Sequence, residues 1–210
     1  MKWILVLLLI AGGIVGFIIA NDPDVSDRVF KVYFPLIAFS FAAYLGLKQF
    51  LKLPSIDFKN QKHIFLSIGL GAAFIFLNAL NPFFSIGIPL AITSGLSLIG
   101  IFLVVVGVAV IVEEIFFAAM DSAFRKIWKN DIISLLLTGL LFSFYHIVAY
   151  GADLANLADT LQAFNVGFLG AFAFRVVVTY FVRRTNNVLI GIITHLMFNA
   201  FLFAVAQGYI

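Results

Sequence analysis

An all-α, polytopic membrane bundle of about seven (six to eight) transmembrane helices is the fold this sequence predicts, and three observations predict it. Of the 210 residues, 63% are hydrophobic and only 11% charged, against roughly a quarter charged in a soluble domain. Apolar runs of about 17 to 25 residues, the length that crosses a ~30 Å hydrocarbon core, recur from one end of the chain to the other. The short polar connections between them alternate in charge, as the positive-inside rule requires. Together these predict one integral membrane domain over residues 1–210, with no stretch left for a separate soluble domain.

The first run, residues 3–20 (WILVLLLIAGGIVGFIIA), follows Lys2 and has Ala20 before a polar stretch. It exceeds the usual ~7 to 15 residue core of a signal peptide, so it reads as a retained first span. Further spans are expected near residues 31–47, 63–80, 92–117, 132–149, 162–182 and 187–207, each helical because lipid leaves no partner for unpaired backbone. The connections run from Lys2 to Asp22, Asp24 and Asp27, then to Lys48, Lys52, Lys59 and Lys62, then to the uncharged Asn81 and Pro82. Arg125, Lys126 and Lys129 come next, then Asp153 and Asp159, and finally Arg183 and Arg184. Seven spans satisfy this alternation throughout, with the N-terminus cytoplasmic, the C-terminus opposite and every basic connection on the cytoplasmic side. Pro23, Pro54 and Pro82 fall in connections, while Pro35 and Pro89 lie at or near helix starts, where a missing donor costs little.

The net charge of +3 is small and its basic residues are explained by topology, so nucleic-acid binding has no support. Without a cysteine the chain holds no disulfide, no thiolate metal site and no cysteine nucleophile.

Polar residues inside the later spans carry the chemistry. Glu113 and Glu114 follow the apolar run IFLVVVGVAVIV. Ionisable side chains within a span are costly and usually mark function or a buried partner, although a pair ending its span at the interface is the simpler account. As neighbours they point about 100° apart, so they serve different roles. His146 lies in LLFSFYHIVAY and His195 in LIGIITHLMFNAF; a lone histidine there most often joins two helices by a hydrogen bond. Asn199, four residues after His195, projects from the same helical face. Phe142 and His146 repeat that spacing. Arg175 lies about seven or eight residues from Arg183, roughly 11 Å deep, and His195 lies about as far from the same connection. Glu113 and Glu114 share that depth if their span ends near Asp121. His146 would then lie roughly 22 Å up from Asp131, which requires either a later helix start or a tilted site.

In chain order these residues read EEIFFA at 113–118, FSFYH at 142–146 and HLMFN at 195–199. That ordered set resembles the CAAX protease and bacteriocin-processing (Abi) family of intramembrane proteases, which includes the Ras-converting enzyme. The likeness covers a core of about residues 92–207. The family's first motif has two glutamates and then an arginine four residues after the second, commonly followed by glycine. Here Glu113 and Glu114 match, but Ala118 and Ala119 stand at the arginine and glycine positions. Phe142 with His146, and His195 with Asn199, match the second and third motifs.

The resemblance implies an intramembrane endopeptidase cutting a membrane-associated or prenylated peptide near its C-terminus. Hydrolysis needs an activated water and donors for the oxyanion. Glu113 would take the water's proton with His146 orienting it, and His195 and Asn199 would hold the oxyanion. Glu114, Phe142 and Arg175 would support them, Arg175 replacing the missing motif arginine as the partner of Glu114. This reading needs no cofactor. The same Glu113, His146 and His195 are alternatively a three-ligand zinc set with an open position, though no HExxH element is present. The expected partners are a membrane peptide or protein substrate and the lipid bilayer, and the expected location is a prokaryotic cell membrane. Rival functions are a non-catalytic pseudoprotease, bacteriocin self-immunity or scaffold protein, favoured by Ala118, and a transporter, for which no repeat or broken helix argues.

Overall fold

The computed structural model describes Ala11 and residues 43–80, 107–146 and 168–206, apart from the side chains of Tyr145 and His146 and a few others. The expected spans at 3–20 and most of 31–47, the first part of the span at 92–117, and the acidic connection with Asp153 and Asp159 lie outside the described residues.

A π-helical turn at Ala43–Leu47 runs into a short helix α1 (Lys48–Leu51), followed by α2 (Gln61–Leu80), α3 (Val110–Trp128), α4 (Asp131–His146), α5 (Leu169–Thr185) and α6 (Leu189–Ala206). The described residues are thus all-helical, with one isolated parallel bridge between Ser55 and Asn187. The helix Gln61–Leu80 is long and apolar enough to cross a membrane; Asp131–Phe144 and Leu189–Val205 are shorter apolar helices. On α4 the exposed large side chains are Ile132, Ile133, Leu136, Leu140 and Phe144. They follow the helical repeat, which makes one flank of α4 an apolar stripe suited to hydrocarbon rather than water.

Helix ends are set by local chemistry. The side chain of Asn130 accepts from the amides of Ile132 and Ile133 (2.9 and 3.0 Å) and so caps α4. Lys52, Lys129 and Asn186 adopt positive φ and close α1, α3 and α5 in left-handed caps. The expected span at 92–117 therefore ends later than its hydropathy indicates. The stretch DSAFRKIW continues α3 to Trp128, with Asp121 still buried and paired with Arg183.

Two ion pairs hold α3 and α5 parallel. Glu114 meets Arg175 near one end, and Asp121 meets Arg183 two turns below, where Arg183 Nε donates to Asp121 Oδ2 at 2.9 Å. Seven residues on one helix and eight on the other span about the same 11 Å, so the two pairs share one register. The antiparallel α3–α4 hairpin is registered by the Phe117 and Phe142 rings, 5.0 Å apart, and by Thr138 Oγ1 donating to Asp121 Oδ1 at 3.2 Å. On the other side, Thr194 Oγ1 donates to the Ser67 carbonyl (3.1 Å), and Gly71 leaves room for Met197, so α2 and α6 run side by side in parallel.

The segment after α1 is fastened to the α5–α6 turn. The Val188 amide donates to the Ser55 carbonyl (2.8 Å), and the Asn187 side chain both accepts from the Asp57 amide (3.0 Å) and donates to the Asp57 carbonyl (2.9 Å). Asn187 Oδ1 also accepts from the Leu189 amide, capping α6, and Asn187 Nδ2 donates to His63 Nδ1 at 3.2 Å. With Lys126 Nζ on the Phe50 carbonyl at 3.0 Å, the three basic connections gather at one end of the molecule. Replacing Asn187 with Ala should cost about 1–3 kcal/mol, since it strands buried backbone groups. Hydrogen exchange should then rise at residues 53–57 before it rises in α3 or α5; uniform exchange across the protein would contradict this account of the fastening.

Candidate functional site

The buried ionisable residues gather on α3, α5 and α6. Glu114, Arg175 and His195 are only 1%, 2% and 4% exposed, a burial that charged groups tolerate only when paired. Arg175 supplies a two-pronged contact to Glu114, with Nη1 donating to Oε2 at 2.9 Å and Nη2 donating to Oε1. Planar, paired donation of this kind is the strong form of a charge-assisted bond. His195 Nδ1 lies 2.8 Å from the same Oε1. Both carboxylate oxygens already accept from the guanidinium, so Glu114 is the anion and His195 Nδ1 carries the donated proton.

Phenylalanines wall this cluster. The Arg175 guanidinium carbon sits 4.4 Å from the Phe142 ring centre and 5.0 Å from that of Phe117, and a cation over aromatic faces in a dry site is stabilised by their quadrupoles. Phe142 and Phe174 lie edge-on or tilted against the His195 ring, at 5.9 and 5.1 Å between centres. Phe142 therefore positions both the cation and the imidazole. Among the described residues, Arg175 Nε is the one buried side-chain nitrogen or oxygen without a hydrogen-bond partner.

Glu113 is buried beside Glu114 on α3 and is engaged by a neighbour of its own. Asn199 is half-buried, one turn beyond His195 on α6. His146 closes α4, and its side chain lies outside the described residues. The hairpin register nevertheless fixes its level. Positions paired as 117 with 142 and 121 with 138 bring position 146 level with Glu113. The depth mismatch expected from sequence thus has a different resolution from a late helix start or a tilted site. Because α3 runs on to Trp128, Glu114 and His146 each lie about 22 Å from the α3–α4 turn. That hairpin projects beyond the α5–α6 turn, from which Arg175 and His195 are nearer.

Gly191 is a site residue that the sequence reading missed. A Cβ there would lie 2.2 Å from Glu114 Oε2, so this glycine is the notch that seats the carboxylate between α6 and Arg175. Its signal was the spacing: Gly191, His195 and Asn199 recur every four residues and share one face of α6. Among the described residues, no group of three or more His, Asp or Glu side chains is assembled to hold a metal ion. The third member of the possible zinc set, His146, has its side chain outside them.

No curated protein and no solved structure matches the chain. Residues 95–201, about half of the chain, match the family described as type II CAAX prenyl endopeptidase Rce1-like, whose members are generally membrane-embedded peptidases. The matched segment holds α3, α4, α5 and most of α6, and with them Glu113, Glu114, Phe142, His146, Arg175, His195 and Asn199. This chain belongs to the Rce1-like family.

Proposed function

We propose that this protein is a multi-pass intramembrane endopeptidase that hydrolyses a peptide bond near the C-terminus of a membrane-associated or prenylated substrate. The observation that carries the reading is the buried Glu114–Arg175–His195 cluster, set level with Glu113 and position 146 inside the family-matched segment. An anion, a cation and an imidazole held this way in a dry interior supply fixed charges at low reorganisation cost, which peptide hydrolysis uses. Glu113 and His146 activate the attacking water, and His195 and Asn199 lie where the carbonyl oxygen becomes an oxyanion. Arg175 reaches across from α5 to do for Glu114 what an arginine at position 118 does in the family pattern, where this chain has Ala118. The reading requires no metal or other cofactor.

The test is cleavage of prenylated and unprenylated membrane peptides in detergent or liposomes, with and without a chelator. The wild type should cut at least one of them, and Glu113→Ala and His195→Ala should each lower the rate by about 10²–10⁴-fold while leaving thermal unfolding cooperative. Chelator should change nothing. Loss of activity with chelator, restored by zinc, would instead make Glu113, His146 and His195 metal ligands. Binding without any cleavage would establish a non-catalytic member, the outcome to which Ala118 points.

A further inference from the structure

Three helix borders show where this molecule changes solvent, and the same chemistry recurs at each. On α2, Lys62 is exposed, and Phe65, one turn on along the same flank, is 70% exposed. At the α3–α4 turn Trp128 and Lys129 are exposed, and the first turn of α4 presents Ile132 and Ile133. Near the end of α5 Arg184 is exposed, with Tyr180 exposed one turn earlier on the same flank. Between α1 and α2, Lys59 stands beside Phe58, itself 68% exposed. Cross-helix bonds tie these borders to one end of the bundle: Asn187 Nδ2 meets His63 Nδ1 at 3.2 Å, and Arg183 Nη1 donates to the Asp131 carbonyl at 2.6 Å. An exposed cation next to an exposed large apolar side chain, repeated around a bundle, is the chemistry of a headgroup layer resting on hydrocarbon.

The cations of this end are not balanced within the protein. Asp121 is taken by Arg183 and Asp131 by Arg125, while Asp57 turns Oδ1 to the Lys59 amide at 2.9 Å. Those three are the carboxylates at this end among the described residues. Lys52, Lys59, Lys62, Lys129 and Arg184 are exposed and form no ion pair among the described residues. Like charges gathered on one rim repel, and an external anion relieves that repulsion. A soluble acidic partner would answer the charges but leave Phe58, Phe65, Ile132 and Ile133 in water. A zwitterionic lipid would cover the apolar side chains but bring a cation of its own. A phospholipid of net negative charge answers both. We propose that this basic rim is a binding surface for anionic phospholipid, its phosphates held by Lys59, Lys62, Lys129 and Arg184 and its acyl chains lying against Phe65 and the apolar stripe of α4. Lysine stems lie along hydrocarbon while their ammonium groups reach the phosphate plane. The surface is separate from the Glu114–Arg175–His195 cluster, since Arg175 lies nine residues from Arg184 along α5, roughly 13 Å. It therefore goes beyond the peptidase reading and stands whether or not the chain cuts peptides.

The test uses the full-length protein in lipid nanodiscs, with phosphatidylglycerol or phosphatidylcholine spin-labelled on the acyl chain. The immobilised signal of protein-contacting lipid should favour the anionic lipid by about fivefold, the equivalent of one lysine–headgroup contact. Raising salt to ~0.5 M should reduce that preference, because the cations are exposed and their field is screened. Lys59→Gln, Lys62→Gln and Lys129→Gln combined should bring it close to parity, whereas Lys59→Arg, Lys62→Arg and Lys129→Arg combined should keep it. Both variants should unfold at the wild-type temperature in phosphatidylcholine, since the three side chains are exposed. A wild type that takes up the two lipids equally would overturn the proposal, and so would a preference indifferent to salt. A preference that survives the combined Gln exchange would place the anionic lipid elsewhere and remove this rim as its site. Polyglutamate that binds the protein in phosphatidylcholine discs and is not displaced by phosphatidylglycerol would make the rim a dock for an acidic protein and overturn the lipid assignment.

Discussion

Arg175→Met should destabilise the protein by about 3–5 kcal/mol, because it leaves the Glu114 carboxylate buried without its counter-charge. The guanidinium is 2% exposed and the carboxylate 1%, so neither can turn to solvent when the other is removed. Thermal unfolding in detergent should fall sharply for Arg175→Met and for Glu114→Leu alone. The double variant Glu114→Leu with Arg175→Met should recover most of that loss, since replacing both partners by apolar groups of similar size is often nearly neutral. Cleavage should not recover with it, because His195 Nδ1 has then lost its acceptor. That separation of folding from activity is the diagnostic result. An Arg175→Met protein as stable as the wild type would show that the pair is not the anchor described here.

Gly191→Ala should behave like the loss of Arg175 although it removes no functional group. The added methyl carbon would sit 2.2 Å from Glu114 Oε2 and 3.2 Å from Val178 on α5. The oxygen is not the free end of a mobile chain, because Arg175 holds it from the far side. Either α6 moves away from α3 and α5 or the ion pair opens. Overpacking of this kind costs about 1–3 kcal/mol, and any opening of the pair adds to it. Gly69→Ala is the matched control: it lies inside α2, has nothing within 4 Å of its new Cβ, and should raise stability by about 0.5–1 kcal/mol through the helix preference for alanine. If both variants unfold at the wild-type temperature, the notch at Gly191 is wider than the structure describes.

The sequence made one part of this arrangement legible and hid another. Counting residues from the basic connections put Arg175 and His195 at a common depth, since rise per residue converts directly to height in a helix. That count could not say which of the two glutamates they meet, because rotation about α3 is set by packing against α4 and α5; the missing motif arginine pointed to Glu114 as the partner of Arg175, and the two are paired. The same count misjudged α3 itself. Hydropathy marks where a helix leaves an apolar medium, not where its hydrogen bonding stops, and α3 continues through Asp121 and Arg125 to Trp128 because Asp121 is paired with Arg183. Gly191 was invisible for a different reason. A glycine in a helix takes its meaning from the neighbour that occupies the missing side chain's volume, and that neighbour is 77 positions away in the chain. The tie between Asn187 and the segment near Asp57 was hidden likewise, as no local pattern links an asparagine in one turn to backbone so far upstream.

The paired ion bridges between α3 and α5 act as a two-pin hinge plate. A single pin would let one helix swivel about the other. With Glu114–Arg175 above and Asp121–Arg183 below, α5 can neither swivel nor slide on α3 without breaking a buried bridge. Any opening between helices must therefore come at another seam. Between α4 and α6 the described residues meet through the rings of Phe142 and His195, and no hydrogen bond or ion pair among them spans that line. Rings that slide past one another cost far less to separate than charges that cannot be left unpaired. The α3–α5 edge is thus bolted by charge, while the described α4–α6 seam is greased by rings.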